Sequence, residues 1–254
     1  MTDQKRKIIQ VRNLSKFFGG VRALSNVSFD VFEEEVLGLI GPNGSGKTTL
    51  ANIITGFVKP SLGDVLFKDI KISGLPPYKI ADLGIARTFQ IPRPFLSQKS
   101  FKNLIVPLWS PRARRFASSR EGDRDAVAID LLEEVGFERD AYVPYKLASS
   151  LPLGYLKRLE LARCLALRPE VIICDEVFSG LSMSEIASML PLIERLRMRG
   201  LTLIMIEHRL RELFTIADRV VVLNFGEKLA EGPPQQAMMD ERVRSAYLGE
   251  EVTI

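Results

Sequence analysis

The sequence predicts an α/β fold, a mostly parallel sheet interrupted by a helical insertion, on three observations. Gly41-Pro42-Asn43-Gly44-Ser45-Gly46-Lys47-Thr48-Thr49 fits the phosphate-loop spacing GxxxxGK[ST] at every required position, with an apolar run before it and a helical stretch after it. Val171-Ile172-Ile173-Cys174 is a continuous apolar run of the kind found in parallel strands covered on both faces, and it ends in Asp175-Glu176. Between residues 91 and 168 the pattern changes to prolines, an arginine-rich stretch and apolar residues at helical spacing, Ala128, Leu131, Leu132 and Val135.

The elements follow in order. Residues 8–17 and 27–31 alternate apolar and polar side chains, the period of half-buried strands. Between them, Phe17-Phe18-Gly19-Gly20 is a turn whose aromatic either packs in the core or stacks on a nucleotide base. Val36-Leu37-Gly38-Leu39-Ile40 is a short buried strand leading into the loop, and residues 47–55 form the helix after it. Glycines at 41, 44 and 46 let successive N–H groups turn inward around a phosphate chain, and the start of the helix adds its positive end. Lys47 supplies a point charge to the β and γ phosphates, and the Thr48 hydroxyl is placed for Mg²⁺.

A strand at 64–68 comes next, then a strand at 84–89 running into Gln90 and stopped by Pro92 and Pro94. In the insertion, Gly136 ends one helix. A second helix, 154–167, places Leu156, Leu159, Leu161, Ala162 and Leu165 on its apolar side and Lys157, Arg158 and Arg163 among its polar positions. The paired carboxylates after 171–174 have a mechanistic reading, Asp175 holding Mg²⁺ and Glu176 polarising the attacking water. A helix at 184–199 leads to a strand at 201–206, directly followed by Glu207 and by His208, the only histidine of the chain. His208 leaves a central strand on the side where the loop and carboxylates lie. A further helix, a strand at 220–223, the turn Asn224-Phe225-Gly226-Glu227, a last strand and short helices over 234–248 complete the chain.

Composition bounds the function. Hydrophobic residues make up 46% and charged residues 26%, the balance of a soluble globular protein. No apolar run approaches the roughly 18 residues of a membrane span, and no apolar leader follows the basic start, so the chain is expected in the cytosol. Cys164 and Cys174 lie in apolar runs without metal-ligand spacing and read as small core residues. Arg112, Arg114, Arg115, Arg120 and Arg124 read as a solvated loop; no groove-reading motif accompanies them, so no nucleic-acid partner is expected.

The motif set resembles the ATP-binding subunit of an ABC transporter across nearly the whole chain. That resemblance implies a P-loop NTPase core of mostly parallel sheet with an antiparallel β subdomain and an inserted α-helical subdomain, residues 1–90 and 169–254 forming the catalytic core and 91–168 the helical part. It implies ATP and Mg²⁺ as ligands. Phe18 takes the place of the base-stacking aromatic, and Gln90 that of the glutamine that senses the γ-phosphate, couples to the membrane subunits and joins Thr48 and Asp175 at Mg²⁺. Asp175 is the magnesium aspartate, Glu176 the catalytic glutamate and His208 the switch histidine. Ala86-Arg87-Thr88-Phe89-Gln90, the 157–163 run, Ile206-Glu207-His208 and the ending Ala246-Tyr247-Leu248-Gly249 are similar to the LivG-type subunits of branched-chain amino acid importers.

Three places depart from the family pattern. The signature, normally LSGGQ or LSYGQ, aligns with Leu151-Pro152-Leu153-Gly154-Tyr155; the proline after the carboxylate pair is Val177; and the GLD or GLN loop is Gly180-Leu181-Ser182. In the family these parts reach toward a partner's ATP. The resemblance therefore implies a dimer with a second ABC ATPase subunit, expected to be a heterodimer. It also implies integral permease subunits, an external solute-binding protein reached through them, and a place on the cytoplasmic face of the membrane. A soluble ABC ATPase acting on nucleic acid or ribosomes is the alternative; such proteins usually carry a coiled-coil arm or a second cassette, for which 254 residues leave no room.

Overall fold

The computed structural model describes residues 6–116 and 123–247, so the basic start before Arg6, Arg120 and the Leu248-Gly249 ending lie outside the described residues. Strand β1 (Lys7–Phe18) buries Ile9, Val11 and Leu14, and β2 (Val21–Phe32) buries Leu24, Val27, Phe29 and Val31. The two pair antiparallel, Val11 opposite Phe29. β2 starts earlier than residues 27–31 predict because backbone pairing, which side-chain alternation does not report, carries it to Val21. Strand β3 (Val36–Ile40) is buried at every position and feeds helix α1 (Lys47–Ile54) through the phosphate loop. Strands β4 (Leu62–Phe67) and β5 (Ile70–Lys71) complete an antiparallel sheet in the order β2-β1-β4-β5.

Helix α2 (Pro77–Leu83) ends at Gly84 and leads into β6 (Ile85–Arg87), shorter than the 84–89 run suggests. Thr88 still donates to the Ile173 carbonyl (2.9 Å) before the chain leaves the sheet. The described residues between 91 and 168 hold helical turns and helices, including α3 (Ile105–Leu108), α4 (Pro111–Arg115), α5 (Arg124–Glu134) and α6 (Leu153–Leu165). Asp123 caps α5 by accepting from the N–H groups of Asp125 and Ala126, and Gly136, at φ 92°, follows its end.

Arg114 and Arg115 are exposed, as the reading of a solvated stretch expects, but Arg112 is not. Arg112 is 6% exposed: its Nε donates to the Arg168 carbonyl (2.7 Å), its Nη1 to the Leu83 carbonyl (2.8 Å), and its Nη2 pairs with Glu170 (3.1 Å). It caps the last carbonyls of α2 and ties the insertion to the sheet. Arg115 pairs with Asp82, and Arg124 stacks on Trp109 with 3.6 Å between guanidinium carbon and ring centroid.

The remaining elements are β7 (Val171–Asp175), α7 (Met183–Met198), β8 (Thr202–Ile206), α8 (Leu210–Phe214), β9 (Arg219–Asn224), β10 (Glu227–Gly232), α9 (Pro234–Ala237) and α10 (Glu241–Tyr247). The second sheet runs β10-β9-β3-β8-β7-β6, parallel except for β10. Period-two alternation divides its side chains between two cores. Val36, Ile40, Ile172, Cys174, Leu203 and Met205 meet the α-helical side; Leu37, Leu39, Val171, Ile173, Ile204 and Ile206 meet α1 and the antiparallel sheet. Both cysteines are buried and free, and burial pushes the Cys164 thiol up to about 12. Because β3, β8 and β7 are parallel neighbours, the phosphate loop, Glu207-His208 and Asp175-Glu176 all leave the same sheet edge.

Candidate active site

The phosphate loop is closed around itself by backbone geometry. Gly46, which caps α1, sits at φ 104°, and a Cβ there would stand 2.7 Å from the Ala23 carbonyl oxygen; at Gly41 it would stand 2.1 Å from that of Leu223. Only glycine fits either place. No side chain caps α1, so the positive end of the helix faces the loop with no capping oxygen set against it. Lys47 is buried, and its Nζ donates to the carbonyls of Gly41 (2.6 Å) and Pro42 (2.9 Å) and lies 3.5 Å from the Ser45 hydroxyl. The ammonium is thereby held across the mouth of the loop. Phe18 is 48% exposed at the hinge of the β1–β2 pair, with the Lys16 ammonium 4.8 Å from its ring centre. β2 passes against Gly46 at Ala23, two residues beyond Val21, the cross-strand partner of Phe18.

Beyond the loop, Asp175 ends β7 almost fully buried. Its Oδ2 accepts from the Arg87 Nη2 (2.6 Å), and Arg87 is fixed in turn by Asn52 (2.7 Å) and Thr55 (3.3 Å) of α1 and its end. Thr48, Asn52, Arg87, Gln90 and Asp175 line one cleft of about 820 Å³. A hydroxyl, an amide and a carboxylate are hard-oxygen donors that suit Mg²⁺, an ion that keeps several waters and shares substrate phosphates. Among the described residues no group of three His, Cys, Asp or Glu side chains could hold a metal alone. The fit is therefore to an ion held jointly with a phosphate substrate.

Glu176 follows in a left-handed conformation, φ 51°, which is uncommon outside glycine. Its carboxylate is gripped from both sides: Gln90 Nε2 donates to Oε2 (2.7 Å), and His208 Nε2 lies 3.3 Å from Oε1. Its N–H donates to the Ile206 carbonyl at the end of β8 (2.8 Å). The structure thus brings together Lys47, Thr48, Gln90, Asp175, Glu176 and His208, which lie 161 positions apart at the extremes, 208 − 47, at one sheet edge.

Known proteins with this arrangement identify the chain. Residues 24–179 match the family model described as ABC transporter. The chain belongs to the ABC transporter ATP-binding family. It is an ATP-hydrolysing cassette of the P-loop fold. A second family model, described as branched-chain amino acid ATP-binding cassette transporter, matches residues 227–253 of the cassette. The cassette is 38% identical to the high-affinity branched-chain amino acid transport ATP-binding protein LivG of Escherichia coli K12, over 96% of this chain and 98% of the relative. A nucleotide-free cassette from an ABC transporter superposes with a TM-score of 0.85 at 30% identity, covering 96% of this chain and 100% of the other. A dimeric cassette in a post-hydrolysis state with ADP and Pi superposes with a TM-score of 0.78 at 25% identity, covering 89% and 99%.

The signature-position residues of the cassette form the start of α6, away from the cleft. Pro152 is the N-cap, with extended backbone and no side-chain cap, and Gly154 lies against α7: a Cβ there would come 2.5 Å from Glu185 Oε1. Leu151 is buried and Leu153 is 40% exposed. Tyr155 turns back into its own subunit, donating to Glu138 Oε2 (2.5 Å) and packing edge-on against Phe137. Ser182, where the family has an acid or amide, has a local role: it caps α7 in a reciprocal capping box with Glu185.

Four charged residues at this site escaped the sequence. Arg87, Lys157, Glu160 and Glu207 were readable only as polar residues within a strand, a helix and a strand end, yet each is packed beside the carboxylate pair or the 89–93 segment. A charge inside a short apolar strand, as at Arg87, was the available signal. Glu207 is 2% exposed and accepts from the Phe178 N–H (3.0 Å), while burial pushes its carboxyl up to about 8. The folded cassette therefore keeps a proton that the unfolded chain releases near the ordinary value of 4.5, and stability falls as pH rises from there toward about 8. Glu207→Gln, which keeps a carbonyl acceptor, should flatten that limb in urea unfolding across this window. Parallel stability curves for parent and variant would contradict the assignment.

Proposed function

We propose that this cassette powers import of branched-chain or related amino acids by hydrolysing ATP at the cytoplasmic face of the membrane. One observation carries the reading: Gln90 and His208 converge on the two oxygens of Glu176 at the sheet edge that also presents Lys47. Lys47 and the amides of residues 43–49 hold the β and γ phosphates, and Phe18 stacks on the base. Thr48, Gln90 and Asp175 hold Mg²⁺, which when bound neutralises phosphate charge. Glu176 orients a water and accepts its proton as the water oxygen bonds to the γ-phosphorus and the bond to the bridging oxygen breaks, ADP leaving with those electrons. Lys47 and His208 face the charge that gathers on the γ-phosphoryl oxygens.

Residues 1–90 and 169–254 serve as the catalytic core and 91–168 as the helical subdomain. Between them lies an exposed apolar strip, Phe57, Ile91, Phe95, Leu96, Val106 and Trp109, suited to receive permease subunits through which an external solute-binding protein delivers cargo. Phe101, an aromatic of the same proline-flanked segment, is 7% exposed, packed edge-on against Tyr145 beneath Lys102.

The second ATPase subunit is expected to differ from this one. Pro152 offers neither a hydroxyl nor an N–H to a partner's γ-phosphate, so that contact is left to backbone groups from Leu153 and Gly154. This chain's own phosphate loop, Glu176 and His208 are complete, so a partner with an intact signature yields unequal sites. The test is to replace the catalytic glutamate in each subunit of the assembled transporter separately. A much larger loss of ATPase from Glu176→Gln than from the partner's change is expected; equal losses would rule the asymmetry out.

A further inference from the structure

We infer that Lys157 is a positioning residue for ATP hydrolysis, holding the peptides of Gln90 and Glu176 from the signature-bearing helix and so setting the direction of the Glu176 carboxylate. The inference rests on the reading of Glu176 as the water-activating group.

Lys157 lies in the first half of α6 and is 3% exposed. Withdrawing an ammonium from water costs several kcal/mol in general, so a buried lysine is expected to carry a compensating contact. Here the contacts are to main chain: Nζ donates to the Gln90 carbonyl (2.7 Å) and to the Glu176 carbonyl (2.8 Å). Burial lowers its pKa, opposed by the charges of Glu207, Glu160, Glu176 and Asp175 around it. The lysine bonds to none of those carboxylates as its principal partner; it bonds to the two peptides whose side chains meet each other at 2.7 Å.

The choice of carbonyls matters because Glu176 is strained. A glutamate at φ 51° persists only where its surroundings over-determine it. Its N–H is fixed by Ile206 at the end of β8 and its C=O by Lys157, so the strained residue is anchored at both ends, once to the core and once to α6. Two further side chains on the same face of α6, at i+3 and i+6, hold the segment that bears Gln90. Glu160, 5% exposed, sits beside the backbone of Phe89 and Arg93, where burial pushes its carboxyl up to about 7, and Arg163 donates to the Arg93 carbonyl (3.0 Å). Movement of α6, whose N-terminus carries the signature position, therefore moves Gln90 and the Glu176 peptide together.

Lys157→Met nearly preserves volume, removes the donors and places an apolar chain where a cation was desolvated. Removing an aligning contact of this kind is expected to lower kcat by about 100-fold in the assembled transporter, with KM for ATP and the affinity of the full chain for ATP within about threefold. Lys157→Arg, which can donate to both carbonyls, should restore kcat to within about threefold. Leaving two buried carbonyls without a donor also lowers the thermal unfolding midpoint of Lys157→Met, so it is the loss of kcat at unchanged ATP affinity, together with rescue by Lys157→Arg, that separates positioning from simple support. If Lys157→Met does not fold, Lys157→Gln carries the same test, with an intermediate loss of kcat expected.

A kcat for either variant within threefold of the parent, a loss shared equally by kcat and ATP affinity, or failure of Lys157→Arg to rescue would each overturn the inference. Glu176→Gln run alongside separates the two readings. Undiminished turnover in Glu176→Gln sinks the role of Glu176 itself, and the inference with it. A dead Glu176→Gln with a parental Lys157→Met sinks the role of Lys157 alone.

Discussion

Lys47→Ala should leave the full chain folded and unable to bind ATP at ordinary concentrations. Its ammonium is pre-placed by the Gly41 and Pro42 carbonyls at the mouth of the loop, the position from which it meets two phosphate groups of one ligand. Charge-assisted contacts are worth roughly 1.5–3 kcal/mol each, so losing two weakens affinity by roughly 10²- to 10⁴-fold. The loop glycines and the α1 amides remain in the variant and are not enough alone, because they supply partial charges where the lysine supplies a whole one. Calorimetry of ATP binding with circular dichroism as a folding control makes the comparison. Equal affinity in parent and variant would remove the phosphate-loop assignment.

Glu176→Gln should separate binding from turnover. The glutamine keeps the size and one acceptor oxygen for Gln90, with its NH₂ in place of the oxygen beside His208, so the loop, Lys47 and Asp175 are undisturbed and ATP affinity stays within about threefold of the parent. It cannot accept a proton from water, and general-base groups of this kind contribute about 10²- to 10⁴-fold. Release of γ-phosphate in a single turnover is the readout, and a rate within tenfold of the parent would exclude Glu176 as the base.

The two variants act at positions that the sequence names, and for a physical reason. A phosphate loop is local: its glycines, lysine and hydroxyl occupy fixed spacings because one strand, one turn and one helix make the whole device. Asp175, Glu176 and His208 were legible because each stands within two residues of the end of a buried apolar run, and parallel strands deliver such ends to one edge. Lys157, Glu160 and Arg87 were not, because a charged residue in a helix or short strand ordinarily faces water, and only tertiary packing turns these inward. Arg112 failed in the same way: an arginine-rich stretch reads as solvated, yet this guanidinium completes the open end of α2. Phe101 shows the reverse limit, since an aromatic in a loop-like, proline-flanked segment gives no sign of which side of that segment is covered. Ser182 looked like a lost family residue and is a helix cap, a role that asks only for an oxygen one bond beyond Cα–Cβ.

The most direct test of the account is ATP-driven uptake of labelled leucine into vesicles bearing the assembled transporter, with this chain as parent or as Glu176→Gln. Uptake should require ATP with the parent chain and be at least about 100-fold slower with Glu176→Gln, at unchanged ATP binding. Uptake at the parental rate with Glu176→Gln would contradict the account.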